Sequence, residues 1–165
     1  MRITEERIIR GLKRIDRNIA LRMAKIESNY VTTAKRYEPA FRKRYIDKLG
    51  LNEQETTFRS TSHGLFQIMG ENLRAMGFNG VESEYDSNID LQIHYYEKWF
   101  TGLLVRYKGD VLRAVSAYNH GTSRDNPYED IYVQKFLNQK GFTYSKIMGA
   151  IVLTYITYKM IKGLI

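Results

Sequence analysis

The sequence has no cysteine, which removes disulfide bridges, thiol nucleophiles and cysteine-ligated metals from consideration. Its three histidines, His63, His94 and His120, lack metal-ligand spacing, and no HxxEH-type element is present. Ser62-His63 are neighbours in sequence, which is not how a nucleophile and its base are recognised. There is no glycine-rich phosphate loop, and the basic clusters match no nucleic-acid-binding motif, so no nucleic-acid partner is expected. Strand-like alternation is not prominent, and no internal repeat is evident. The charged start Met1-Arg2-Ile3-Thr4-Glu5-Glu6-Arg7 leads into no apolar run, so no cleavable secretory signal is expected.

What is present is one domain's worth of chain. With 165 residues and an ordinary apolar fraction, a single hydrophobic core is expected. Lys plus Arg outnumber Asp plus Glu by 26 to 18, and the net charge of +8 favours anionic partners. Nucleic acid, anionic lipid and bacterial cell wall all satisfy that charge, so it does not choose among them. Tyrosine, with 13 copies, suits carbohydrate stacking but equally suits half-buried packing.

Periodicity predicts a mostly α-helical chain. Ile8, Leu12, Ile15 and Ile19 recur at helical intervals, and Asp16 is a cap for a second helix carrying Ile19, Met23 and Ile26. Glu27 then falls near that helix's C-terminal end, where the helix dipole favours a neutral carboxyl. Residues 31–63 read as an irregular insertion with one short helix, forming a cleft wall. Gly64 to Met69 read as extended or turn. Glu71 to Met76 read as a helix stopped by Gly77. Asn88 starts a long helix with Ile89, Ile93, Tyr96, Phe100 and Leu103 on one face. Asp110 caps the next helix, and Asn126-Pro127 start a last one through Tyr132, Val133 and Phe136. Residues 1–143 form the expected domain, and 144–165 an additional apolar helix. Within it, 147–165 could be a buried terminal helix or a membrane anchor, with Lys159 and Lys162 reaching headgroups.

Three short motifs carry the chemistry in a fixed order: Ile26-Glu27-Ser28-Asn29-Tyr30, Gly64-Leu65-Phe66-Gln67-Ile68-Met69, and Ala117-Tyr118-Asn119-His120-Gly121. Each is weak alone. As an ordered set they resemble the lytic transglycosylase domain of the soluble (SLT) family, in the goose-type lysozyme-like superfamily, over about residues 15–138. The resemblance implies a lysozyme-like helical fold with a minimal β element at the cleft, no cofactor, and cleavage of peptidoglycan glycan strands. It implies that Glu27 is the catalytic acid and base, protonating the bridging oxygen between N-acetylmuramic acid and N-acetylglucosamine. The glutamate then takes the proton of the muramic acid 6-hydroxyl as a 1,6-anhydro ring closes. Gln67 and Met69 would line the sugar site, Ser28 would hold the catalytic loop, and Asn119 would bind acetamido or hydroxyl groups beside Tyr118. Tyr132 matches the family's last motif, whose tyrosine reaches toward the glutamate.

Two departures concern the subsites. The position four before Tyr132 is Tyr128, with Glu129 adjacent, where the family often has glutamate. Ser60 and Ser62 both compete for the serine before the second motif. A hydrolase of the same fold would need a second carboxylate to direct water. Glu38, Asp86 and Glu71 are the candidates, with Glu38 ahead and a loop salt bridge as its simpler role. The expected setting is a phage particle, with virion proteins as partners and wall opening at infection as the task. The rivals are a hydrolytic muramidase or endolysin and a non-catalytic wall-binding virion protein.

Overall fold

A computed structural model describes residues 3–139. The apolar tail and its membrane reading lie outside the described residues. Helix α1 spans Ile3–Gly11 and α2 spans Arg17–Ser28. Asp16 caps α2, its side chain accepting the Asn18 N–H. The linker between the helices is fixed by Glu97 of α7 (Ile89–Arg106), a carboxylate that accepts the N–H groups of Lys13, Arg14 and Ile15 at 2.8, 2.6 and 3.1 Å. Those three donors have no partner within a helix, so the carboxylate answers a need that the turn creates.

The long helix α7 is the centre of the fold. Its buried Ile93, Tyr96, Phe100 and Leu103 follow the predicted face. It contacts α1, α6 (Glu82–Ser87) and α8 (Val111–His120). Asn88 and Asp110 cap α7 and α8 as their sequence positions predict, accepting the N–H groups of Leu91 and Arg113. Aromatic rings fill the space between elements. Phe66 stacks on Tyr96 at 3.9 Å, and Tyr118 packs against Tyr96 and Phe100. Among the described residues no helix is long and apolar enough to cross a membrane.

Residues 31–63 depart from the irregular insertion that the sequence suggested. They form β1 (Lys35–Tyr37), the short helix α3 (Pro39–Phe41), a π-helical turn at Arg42–Ile46 and a 3-10 turn at Asp47–Leu49. Helix α4 (Glu53–Arg59) and β2 (Thr61–His63) follow. An antiparallel sheet in the order β1-β2-β3 is completed by Ile68–Met69, and α5 (Gly70–Ala75) follows it directly. Each strand is two or three residues long, too short for alternation to be read from sequence. Gly70 is required where the chain turns into α5, since a Cβ there would lie 2.0 Å from the Phe58 carbonyl oxygen.

The last helix also starts differently. Asn126 caps only a 3-10 turn, Pro127–Glu129, and α9 (Ile131–Leu137) is capped by Asp130. Asp130 accepts the backbone N–H of Tyr132 at 2.9 Å and the hydroxyl of Ser116 at 2.5 Å. At the other end, the buried Arg22 donates to the carbonyls of Phe136 and Leu137. Helix α9 is therefore held at both termini, which fixes Tyr132 against α2.

Candidate active site

Glu27 lies in the last turn of α2. The helix ends one residue later, at Ser28, because Asn29 and Tyr30 both adopt left-handed φ (53° and 68°), turning their N–H groups back to Lys25 and Ala24. The Glu27 side chain looks into a cleft of about 680 Å³. Across it, the buried Tyr132 donates its phenolic O–H to Glu27 Oε1 in a short hydrogen bond. Burial raises the Glu27 pKa above the ordinary glutamate range, against the opposing pull of the Tyr132 hydrogen bond and the Arg36 charge. The negative end of α2 acts in the same upward direction. Burial also lifts Tyr132 well above the usual phenol range, reinforced by the facing carboxylate, so this phenol is a donor.

The second motif forms the turn behind Glu27. Gly64 sits at φ 71°, and a Cβ there would meet the Gln92 side chain at 2.4 Å. Gln92 needs that approach, because its carbonyl accepts the Leu65 N–H at 2.8 Å while its amide donates to Thr32, Tyr85 and Asp86 carbonyls. Ser28 donates to the Leu65 carbonyl at 2.9 Å, tying the end of α2 to this turn. Tyr118 donates to the Phe66 carbonyl at 2.6 Å, tying α8 to it as well. Gln67, itself at φ 47°, donates its amide to the Ala34 and Gly64 carbonyls, both at 3.0 Å. Met69 accepts the Ser62 hydroxyl on sulfur.

The expected site residues thus divide into two groups. Glu27, Asn119 and Tyr132 line the cleft. Ser28, Gln67, Met69 and Tyr118 make contacts that brace the turn and the sheet around the cleft. The carboxylates considered as a second catalytic group are engaged elsewhere. Glu38 accepts from Arg36 at 2.5 Å, Glu71 pairs with Arg59 at 3.1 Å, and Asp86 pairs with Lys35 at 2.8 Å.

Several cleft residues were not evident from the motifs. Arg36 of β1 reaches the cleft, as do Arg124 and Lys135. His120 stands 3.3 Å from Asp130, adding a third partner to the cap that holds α9. The aspartate two residues before Tyr132 was the one available signal, as a helix-capping type at a helix start. Away from the cleft, the fold gathers His63, Glu82 and Asp86 so that one ligand atom of each lies within 4.8 Å of the others. Spacing among the histidines could not reveal that group, since two of its members are carboxylates from α6.

No curated protein and no solved structure matches the chain. A family model does: the Transglycosylase SLT domain matches residues 11–136, which takes in Glu27, the turn behind it, the Tyr118-Asn119 pair and Tyr132. The chain belongs to the SLT family of lytic transglycosylases, enzymes that act on peptidoglycan.

Proposed function

We propose that the protein cleaves the β-1,4 bond between N-acetylmuramic acid and N-acetylglucosamine and leaves a 1,6-anhydromuramic end. The observation that carries this reading is the half-buried Glu27 carboxyl, its pKa raised and its hydrogen-bond donor the neutral Tyr132 phenol. Burial favours the protonated form of such a group, the form that can deliver a proton to a leaving oxygen. In the proposed step the Glu27 proton passes to O4 of the leaving N-acetylglucosamine as the C1–O4 bond breaks. The carboxylate so formed is steadied by Tyr132 and Arg36. It takes the proton of the muramic 6-hydroxyl while O6 bonds to C1, and Glu27 returns to its starting state with no water consumed. Asn119, exposed on the cleft, would bind the sugar's acetamido or hydroxyl groups.

Hydrolysis is the second reading. It asks for a second carboxylate to direct water. Glu38, Glu71 and Asp86 are tied to cations, which favours the anhydro route. Digestion of sacculi in H₂¹⁸O followed by mass spectrometry separates the two. Anhydro-muropeptides without label support the proposal, and ¹⁸O-labelled reducing ends would replace it with a muramidase.

The proposed setting is a phage particle that opens the wall at infection, and the +8 charge suits attraction to an anionic wall. Presence in purified particles supports that setting. Appearance only in the lysate at the end of infection would make the enzyme an endolysin.

A further inference from the structure

We infer that His63, Glu82 and Asp86 form a divalent-cation site, best matched to Zn²⁺, on the face of β1 turned away from the cleft. The inference is independent of the reaction at Glu27.

His63 is fully buried, with its ring between Phe58 and Tyr85. Its Nε2 lies 3.1 Å from the Phe58 carbonyl oxygen. A carbonyl only accepts, so Nε2 carries the hydrogen and donates it. In the neutral ring this leaves Nδ1 with a lone pair, and that atom points at two carboxylates. It stands 3.4 Å from Asp86 Oδ1 and 3.6 Å from Glu82 Oε1. Neither His63 Nδ1 nor Asp86 Oδ1 has a hydrogen-bond partner, although both are buried. Electron-pair donors turned toward one another without a hydrogen between them are unfavourable unless a cation joins them.

Lys35 meets that need only in part. Its ammonium lies 2.8 Å from Asp86 Oδ2 and 3.0 Å from Glu82 Oε1, and it leaves the two orphaned atoms as they are. A metal ion would engage all three groups. Zinc bonds to N and O ligands are about 2.0–2.2 Å, which at the tetrahedral angle places neighbouring ligand atoms about 3.3–3.6 Å apart. The two histidine–carboxylate separations, 3.4 and 3.6 Å, match this. The Phe58 carbonyl would be the outer partner that fixes the tautomer and orients the ring, as metal-binding histidines require. One nitrogen with two carboxylate oxygens suits Zn²⁺ better than Mg²⁺ or Ca²⁺, which prefer oxygen alone.

Entry of the metal requires the Lys35 ammonium to leave. Its side chain is 44% exposed and can turn into solvent. Lys35 faces His63 across the β1–β2 ladder, and its neighbour Arg36 reaches the cleft. A metal here would join the sheet to α6 and stiffen the strand that presents Arg36 to Glu27.

The test is Zn²⁺ titration of the full chain by calorimetry after chelator treatment, with Mg²⁺ and Ca²⁺ in parallel. One Zn²⁺ per chain is expected, with Mg²⁺ and Ca²⁺ weaker. Replacing Lys35→Met removes a competing positive charge and should tighten Kd by about tenfold. His63→Gln and Asp86→Asn should each weaken it by at least about tenfold. Should His63→Gln fail to fold, the ¹⁵N shift of His63 Nδ1 in the wild type decides. A large displacement on adding Zn²⁺ supports the site, and an unmoved signal overturns it. No binding by the wild type, or binding that survives Asp86→Asn unchanged, would also overturn it.

Discussion

Two glutamates, Glu27 and Glu55, sit in neighbourhoods that pull their acidities in opposite directions. Glu55 of α4 faces Arg74 at 2.8 Å through both carboxylate oxygens and Arg59 at 2.7 Å. The Arg74 hydrogen bonds, with further help from Arg59, bring its pKa down to about 2 in spite of some burial. Glu27 has a phenol in place of guanidinium groups, and there burial prevails and raises its pKa. The cation acting on it, Arg36, is exposed and already paired with Glu38. Burial alone does not make an acid catalyst. The decisive difference is whether the donors facing the carboxylate carry charge.

The largest test of this contrast is Glu27→Gln, which keeps the shape and removes the transferable proton. Wall-cleaving activity should fall by about 10³-fold or more. Its melting temperature at neutral pH should hold or rise. The sign follows from linkage: a carboxyl whose folded pKa is raised loses stability as pH climbs from its unfolded pKa through its folded one. The amide escapes that loss, and calorimetric melting of the two proteins at several pH values would show it.

Tyr132→Phe comes next. Losing a hydrogen bond to an ionising group should lower kcat by about 10–100-fold. The phenol favours the carboxylate form, so its removal raises the Glu27 pKa further. The alkaline limb of the pH–rate profile should move to higher pH, and a limb moving downward would break the comparison. Arg36→Met has the same sign by loss of its charge, with a smaller displacement. Because the Arg36 side chain is 64% exposed, the wild-type limb should itself move upward as salt is added.

Glu55→Gln should have the smallest effect, and on stability in place of activity. Here the folded pKa is depressed from 4.5 to about 2, so the ion pairs contribute above about pH 4.5 and fade as pH falls toward 2. A loss of about 1 kcal/mol at neutral pH, vanishing in acid, is expected for a partly solvated pair. Denaturant titrations at pH 7 and pH 3 would check it, with turnover at pH 7 near wild type.

The same contrast explains what was legible in the sequence. Caps at Asp16, Asn88 and Asp110 could be read because each is a local event, a side chain accepting an N–H two or three residues on. Glu27 and its convergence with Tyr132 followed from the ordered motifs. The arrangement of 31–63 could not be read, since its strands are held by ladders to residues far along the chain. Asp130 was overshadowed by Asn126-Pro127, a stronger local start signal that the chain spends on a single 3-10 turn. Gln67 and Tyr118 carry family motifs, and sequence alone does not tell that their polar atoms would go to backbone carbonyls. Backbone partners depend on the assembled turn, which no residue pattern states.

The most direct measurement is a ¹³C NMR titration of the glutamate side-chain carboxyls, with the Glu27 and Glu55 signals assigned through their Gln variants. The account predicts that Glu27 titrates above the ordinary glutamate range and Glu55 well below it, in one protein and one experiment. A Glu27 carboxyl that titrates at or below the ordinary value would contradict the claim that burial keeps its proton in place.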